Sequence, residues 1–369
     1  MRKAYLDNIR FSTIMLVLVF HVFFFFSNIG IAGIFPGWAP YQPGYFRWEG
    51  VYEYAVYPWF MTLLFVVAGS AAYPALQKIS DGAFLKARAH KLLLPSVVSV
   101  LLLGWLPGSI VVKQSAGNAL DAVPGPIKWI IYTCSGIGAL WFCQVLFVAC
   151  LLLVLVRRLD RGGGLAALGG KAGPGFGVTL FFLLWGAGNI GNVPLVESYR
   201  MGIYLFAFLV GYYVFSQEKF LALLKKYWAV TAAGAVLSGA VFVATGYGRY
   251  YGAALLGGWQ ASLFTFFSVL AVYGTFQKWF DGSNRVTAFC SKISWPVYIL
   301  HIPVYLVCLK IMLGLGWPVW AQYPVLLAAG FVVSPCLALL LGKIPGVRVL
   351  LFGYQRKGER YNGKTISKG

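Results

Sequence analysis

Three ionisable side chains near the N-terminus have the types and the spacing to carry out chemistry. Asp7, Arg10 and His21 lie in an apolar stretch that begins at Tyr5. In an α-helix, the step of eleven residues from Arg10 to His21 is about three turns, so both side chains share one face and lie roughly 16 Å apart along the axis. Asp7 precedes Arg10 by three residues and falls near the same line. Because histidine exchanges protons near neutral pH, this face predicts a functional site if the helix crosses a bilayer.

The composition predicts that the helix does cross a bilayer. The 369 residues are 60% hydrophobic and 11% charged, with a mean hydropathy of +0.75, whereas a soluble domain is about a quarter charged. Apolar segments of about 20 residues recur along the whole chain and do not alternate with period two, which favours helices over a β-barrel. We therefore predict an all-α, polytopic transmembrane bundle of about ten spans in residues 1–345, followed by a basic cytoplasmic tail in residues 346–369.

The distribution of charge predicts the orientation of these spans. The fifth and sixth are short and interrupted by glycine. The ten predicted spans are 9–30, 55–76, 92–112, 138–157, 176–190, 202–215, 227–245, 252–277, 293–313 and 322–342. With the N-terminus inside, 24 of the 30 Lys and Arg residues fall on the cytoplasmic side, so both termini are predicted to be cytoplasmic. The first apolar run is too long for a signal peptide and is predicted to stay as the first helix.

Charge and cysteine content exclude two other classes of site. The net charge of +20 comes from short loops and not from a basic domain, so no nucleic-acid partner is expected. The six cysteines form no CxxC pair and fall mostly in apolar segments, so we expect buried thiols and neither a metal site nor a disulfide framework.

Two loops carry further candidate residues. The first outer loop, at about 31–54, combines aromatic side chains with carboxylates, including Trp48, Glu49 and Glu53. Such a loop could bind a sugar, or it could form the aromatic belt that membrane proteins place at lipid headgroups. The first inner loop carries Arg88 and Lys91, which either clamp phosphates from the cytoplasm or only set the orientation of the next span.

Two later spans contain the remaining candidates. Trp141 lies at the start of the fourth span, between Leu140 and Phe142. His301 lies within the ninth span, two residues before Pro303. A histidine in an apolar helix either belongs to a functional site or bridges helices by hydrogen bonding.

In these residues the sequence resembles acyltransferase family 3, a family of integral-membrane enzymes that acylate extracytoplasmic glycans. The resemblance extends from about residue 4 to about residue 345. Its motifs are Tyr5-Leu-Asp-Asn-Ile-Arg10 with His21, Phe65-Val-Val-Ala-Gly69, Arg88-Ala-His-Lys91 with Pro95, Leu140-Trp141-Phe142, and Tyr298-Ile-Leu-His301-Ile-Pro303. The first and fourth motifs look most like the branch that includes the periplasmic-glucan succinyltransferase. The family pattern Arg-x-x-Arg is changed here, because Lys91 replaces the second arginine and lacks its planar fork.

The resemblance implies a reaction and roles for the candidate residues. An acetyl or succinyl group would move from cytoplasmic acyl-CoA, the donor, to a hydroxyl group of an extracytoplasmic glycan, across a bacterial cytoplasmic (inner) membrane. No permanently bound cofactor is implied, and the partners are membrane lipid, acyl-CoA, the glycan acceptor and proteins of glycan synthesis. The resemblance implies that His21, Arg10 and Asp7 are catalytic. His21 would transfer a proton or relay the acyl group, and Arg10, oriented by Asp7, would hold the donor or set the electrostatics of the tunnel entrance. The other implied roles are coenzyme A phosphate binding for Arg88 and Lys91, and substrate binding for Trp48, Glu49, Glu53, Trp141 and His301.

Two other classes of protein would carry similar residues. A proton-coupled transporter or glycan exporter also needs intramembrane His and Arg, but it is commonly built from duplicated halves, and no internal repeat is visible in this chain. A structural subunit of a glycan-synthesis complex would use these residues only for packing. That interpretation predicts that substitutions at His21 and Arg88 change stability and no chemistry.

Overall fold

The computed structural model describes residues 3–26, 48–191, 200–249 and 252–354, and within these ranges the protein is all-helical without strands. This confirms the predicted fold class. The α-helices are α1 (Ala4–Phe24), α2 (Trp48–Leu76), α3 (Asp81–Arg88), α4 (Leu94–Leu103), α5 (Trp105–Ala116), α6 (Gly125–Ser135), α7 (Trp141–Leu159), α8 (Gly164–Gly170), α9 (Pro174–Gly188), α10 (Met201–Tyr213), α11 (Glu218–Lys226), α12 (Trp228–Gly246), α13 (Ala253–Leu256), α14 (Trp259–Trp279), α15 (Arg285–Gly314), α16 (Val319–Ala328), α17 (Ser334–Leu341) and α18 (Pro345–Leu350).

Several of these helices are long and apolar enough to cross a membrane. Seven qualify in the described ranges, and α3 to α5 form an eighth candidate that bends by 62°. Helices α9 and α10 are apolar but shorter, with 15 and 13 residues, and they coincide with the predicted fifth and sixth spans. The protein is therefore a multi-pass membrane protein. Its total of ten spans and its orientation stay predictions.

Helix α1 lies inside the bundle, against α2, α14, α15 and α16. Its first turn is anchored to the loop between α14 and α15. The Asn8 side-chain amide donates to the carbonyl oxygens of Phe280 at 2.7 Å and Gly282 at 2.9 Å, and the backbone N–H of Tyr5 donates to the Asp281 carboxylate at 3.2 Å. These bonds fix the height of α1 in the bundle and therefore the positions of its polar side chains.

Helices α2 and α10 cross at glycines. A Cβ atom on Gly69 would lie 2.0 Å from the carbonyl oxygen of Phe208, and one on Gly211 would lie 2.2 Å from that of Val66. The Ser70 hydroxyl donates across the crossing to the Gly211 carbonyl oxygen at 3.1 Å. Close backbone approach at small residues, reinforced by a hydrogen bond, is how membrane helices associate without a hydrophobic driving force between them.

The substitution Gly69→Ala is expected to destabilise the protein by about 1–3 kcal/mol or more, because the added methyl group must push two backbones apart. Thermal unfolding of the detergent-purified protein measures the effect. Gly186→Ala in α9 is the matched control, since its Cβ meets open space. Equal unfolding temperatures for both variants would show that the crossing is not tightly packed.

Helix α15 contains Pro296, which cannot donate a backbone hydrogen bond to the carbonyl oxygen of Lys292. The Tyr354 hydroxyl donates to that oxygen instead, at 3.0 Å, and the Trp295 indole donates to the carbonyl oxygen of Phe352 at 3.1 Å. Burial raises the pKa of Tyr354 above its ordinary value, so its hydroxyl stays protonated for this bond. Residues 346–354 of the predicted tail therefore pack against the bundle, and residues 355–369 lie outside the described residues.

Candidate active site

A pair of histidines from distant parts of the chain lies within the bundle. Because α1 packs against α15, the Nδ1 atom of His21 lies 3.2 Å from the Nε2 atom of His301, and the two ring centroids are 4.9 Å apart. His301 is fully buried and His21 is half-buried. The sequence predicts a functional histidine on each helix, and the structure brings the two into contact.

Backbone carbonyl groups determine where each neutral ring holds its proton. The Nδ1 atom of His301 lies 2.6 Å from the carbonyl oxygen of Tyr298, and the Nδ1 atom of His21 lies 2.9 Å from that of Val17. A carbonyl oxygen only accepts, so we assign the proton of both rings to Nδ1. His301 Nε2 can then accept a hydrogen bond from His21 Nδ1–H, which it shares with the carbonyl oxygen of Val17. The lone pair of His21 is left on Nε2, the atom that can remove a proton from a substrate.

Aromatic side chains surround the pair. Tyr298 and Tyr305 lie on either side of His301, with ring centroids 5.6 Å and 5.7 Å away, and Phe20 lies 5.4 Å from His21. The Tyr305 hydroxyl donates to the carbonyl oxygen of Leu18 at 3.1 Å, which joins α15 to α1 beside the histidines. These apolar walls reduce the local dielectric and strengthen the hydrogen bonds within the pair.

A basic cavity of about 690 Å³ opens at the end of the bundle where α1 and α15 begin. Its size is typical of a site for a small molecule or cofactor. The charged side chains in its lining are those of Asp7, Arg10, Arg88, Lys91 and Lys292. The Arg10 guanidinium pairs with the Asp7 carboxylate at 3.2 Å. Four cations beside one carboxylate leave a positive cavity that favours an anionic ligand.

The two cations of the first inner loop reach this cavity through an irregular stretch of helix. Arg88 ends α3, and Lys91 lies in the π-helical turn Ala89–Leu93 that follows. The start of α3 is held by an ion pair between Asp81 and Arg157 of α7 at 2.5 Å, and the Arg88 guanidinium lies 5.0 Å from the centroid of the Phe84 ring. Single π-helical turns are frequent at functional sites. Here the turn separates the straight helix α3 from α4.

Tyr298 connects the cavity with the histidines. Its side chain lines the cavity together with Phe142, while its carbonyl oxygen accepts from His301 Nδ1–H. Its hydroxyl donates to the carbonyl oxygen of Ala139, just before α7. Tyr298 therefore contacts both the basic cavity and the histidine pair.

Two of the other predicted substrate-binding residues, Trp141 and Glu53, do not line the cavity. Trp141 is half-buried and stacks on Tyr204, with ring centroids 5.3 Å apart. Glu53 is fully buried near the start of α2. The side chains of Trp48 and Glu49, with the preceding outer loop, lie outside the described residues. Direct substrate binding by these residues stays a prediction.

Sequence reasoning missed Arg200, which it counted only as a charge on the outer side. The side chain is 1% exposed. One guanidinium nitrogen donates to the carbonyl oxygen of Pro58, which also accepts from the Thr265 hydroxyl at 2.9 Å. Nε and Nη2 have no hydrogen-bond partner among the residues that the structure describes. The sequence feature that could have indicated a buried arginine is the isolated position of Arg200 directly before a short apolar segment. Such a group costs free energy where it lies, because burial removes its hydration.

We expect Arg200→Met to unfold at or above the wild-type temperature, because it removes a poorly satisfied buried charge and keeps most of the volume. Arg200→Ala loses the same charge but leaves a cavity, and we expect it to unfold at a lower temperature. Thermal unfolding in detergent compares the two variants. An equal loss of stability in both would show that the guanidinium makes stabilising polar contacts beyond the bond to Pro58.

A comparison with family models identifies the family of the chain. Residues 3–340 match the model of acyltransferase family 3, described as an acyltransferase domain. No curated protein and no solved structure matches the chain. The match covers both histidines and all of the cavity lining except Tyr354, and it favours an enzyme over the transporter and the structural subunit. The chain therefore belongs to acyltransferase family 3 and is a membrane-embedded acyltransferase.

Proposed function

We propose that the protein transfers an acetyl or succinyl group from cytoplasmic acyl-CoA to a hydroxyl group of an extracytoplasmic glycan. The observation that carries this proposal is the connection through Tyr298 between the basic cavity and the histidine pair. The cavity lies at the end of the bundle that the charge distribution predicts to be cytoplasmic. The bacterial inner membrane is the location that we propose, since it separates acyl-CoA from extracytoplasmic glycans.

The charges of the cavity suit the donor. Coenzyme A carries a diphosphate and a 3′-phosphate, and Arg88 can bind a phosphate with two parallel hydrogen bonds. Lys91 and Lys292 add point charges at the same cavity. The flexible pantetheine arm, which is uncharged, would then extend past Tyr298 toward the histidines and place the thioester in the apolar interior.

The histidine pair suits the transfer step. His21 Nε2 removes the proton of the acceptor hydroxyl as the oxygen attacks the thioester carbonyl carbon. A C–O bond forms, the C–S bond breaks, and the coenzyme A thiolate leaves and takes the proton back from His21. A positioned base of this kind contributes about 10²–10⁴-fold to a rate. The ion pair of Arg10 and Asp7 lines the cavity about three helical turns before His21 and would hold the donor.

Donor binding can be tested before the acceptor is known. Thermal unfolding of the purified protein is measured with coenzyme A, acetyl-CoA, succinyl-CoA and no ligand. A ligand at 100 times its dissociation constant adds about 2.7 kcal/mol of stability. The thioester with the larger shift is then supplied outside proteoliposomes that contain candidate glycans. No shift with any of these ligands, on well-folded protein, would contradict the proposed donor.

A further inference from the structure

His301 uses both of its ring nitrogens inside the protein. Its Nδ1 atom faces the carbonyl oxygen of Tyr298 and its Nε2 atom faces His21 Nδ1, at 2.6 Å and 3.2 Å. The side chain is fully buried. This geometry leaves no nitrogen for the direct substrate contact that the resemblance implies. We infer instead that His301 is a positioning residue, which accepts a hydrogen bond from His21 Nδ1–H and thereby directs the basic Nε2 atom of His21 at the substrate.

The alternative arrangement of protons is unfavourable at two places. If His301 donated from Nε2 to His21, the neutral His301 ring would turn an Nδ1 lone pair toward the carbonyl oxygen of Tyr298. The Nδ1 atom of His21 would then carry a lone pair 2.9 Å from the carbonyl oxygen of Val17. Two acceptors cannot share a hydrogen bond without a proton between them. The backbone therefore decides the direction of the bond between the histidines.

Val17 alone is a poor partner for the His21 ring. Its carbonyl oxygen belongs to α1 and lies four residues before His21, where a regular helix uses it for the backbone N–H of His21. His301 brings an acceptor from a second helix, and packing between Tyr298 and Tyr305 holds its ring. This acceptor fixes the orientation of His21 across the α1–α15 contact.

The same acceptor stabilises the charge that forms during the reaction. When His21 takes a proton on Nε2 it becomes a cation with two N–H groups, and the lone pair on His301 Nε2 faces one of them. No proton needs to pass to His301, which stays neutral through the transfer. A base oriented by a third group is a recurrent arrangement in nucleophilic catalysis.

The positioning role of His301 rests on the proposed function. Two substitutions at His301 distinguish this role from direct substrate binding. The side-chain oxygen of His301→Gln can still accept from His21 Nδ1–H, whereas His301→Leu offers no acceptor. We expect His301→Leu to lose about 10- to 100-fold in kcat, a part of what a positioned base contributes. The KM for the donor and the thermal shift with coenzyme A should not change. His301→Gln should recover most of the rate, and His301→Leu should add little to the loss in His21→Ala.

A spectroscopic test does not depend on any activity. The chain contains three histidines, so ¹⁵N labelling of histidine gives few signals, and the variants His90→Gln and His301→Gln assign them. We expect wild-type His21 as the Nδ1–H tautomer, with a smaller fraction of that tautomer in His301→Leu. A wild-type His21 that is mainly Nε2–H would overturn the inference, as would a His301→Leu variant with an unchanged kcat. If no acyl-CoA is a substrate, the tautomer measurement still tests the geometry while the proposed function fails.

Discussion

The replacement of His21 by alanine is expected to lower kcat for acyl transfer by about 10²- to 10⁴-fold, which is the usual contribution of a positioned general base. The variant removes the only side-chain base of α1 that contacts the histidine of α15. Binding of coenzyme A should persist, since the cavity lining does not include His21. Release of the coenzyme A thiol in the presence of acceptor measures kcat, and thermal unfolding with coenzyme A measures donor binding.

The third histidine provides a control for this experiment. His90 lies in the π-helical turn, and its side chain does not line the cavity. His90→Ala should therefore keep the wild-type kcat, which controls for the loss of an imidazole ring as such. A His21→Ala protein that inserts normally and transfers acyl groups at the wild-type rate would remove His21 from the mechanism. A variant that loses donor binding as well would place His21 in the binding site.

Arg88→Ala is expected to weaken coenzyme A binding by about 10- to 100-fold, because a hydrogen bond to a charged group is worth about 1.5–3 kcal/mol. The Arg88 guanidinium can contact a phosphate with two nitrogens. Its loss leaves the point charges of the two lysines and Arg10, which is paired with Asp7. The maximal rate at saturating donor should change much less than the dissociation constant. Thermal unfolding measured over a range of coenzyme A concentrations gives the dissociation constant.

A neighbouring cation provides the control for charge. Lys86 lies on the same helix, is exposed and does not line the cavity. Lys86→Ala lowers the net charge by one and should leave the dissociation constant unchanged. Titration with dephospho-coenzyme A then shows whether Arg88 contacts the 3′-phosphate, since the effect of the variant would disappear with this ligand. Equal weakening in both variants would indicate only a general effect of charge.

The sequence identifies candidate residues of the site but does not show which of them come into contact. Helical spacing places Arg10 and His21 on one face of α1, because local geometry decides that relation. The contact between His21 and His301 depends on how α1 and α15 pack across 280 positions of the chain. Two apolar helices can pack at many rotations, and no short-range pattern selects the one that joins the two rings.

The roles of Tyr298 and Arg200 could not be predicted from their residue types. Tyr298 belongs to a recognisable motif, but its role depends on a backbone carbonyl group that no residue type encodes. Arg200 looks like an ordinary charge at the end of a span, and only the crossing of α2, α10 and α14 buries it. The shortness of the apolar helices α9 and α10 was predictable, since glycines interrupt their apolar runs.

The cavity contains residues from the two ends of the described chain. Its wall includes Ala4 and Asp7 of the first helix. It also includes Tyr354, which follows the last predicted span and donates a hydrogen bond to the carbonyl oxygen of Lys292. A ribosome must therefore synthesise the chain as far as Tyr354 before the wall can close. Until then the nascent chain in the membrane cannot bind the donor as the complete enzyme does. A premature stop codon just after Gly342 would retain the residues of α1 to α17 but remove Tyr354 from the wall of the cavity.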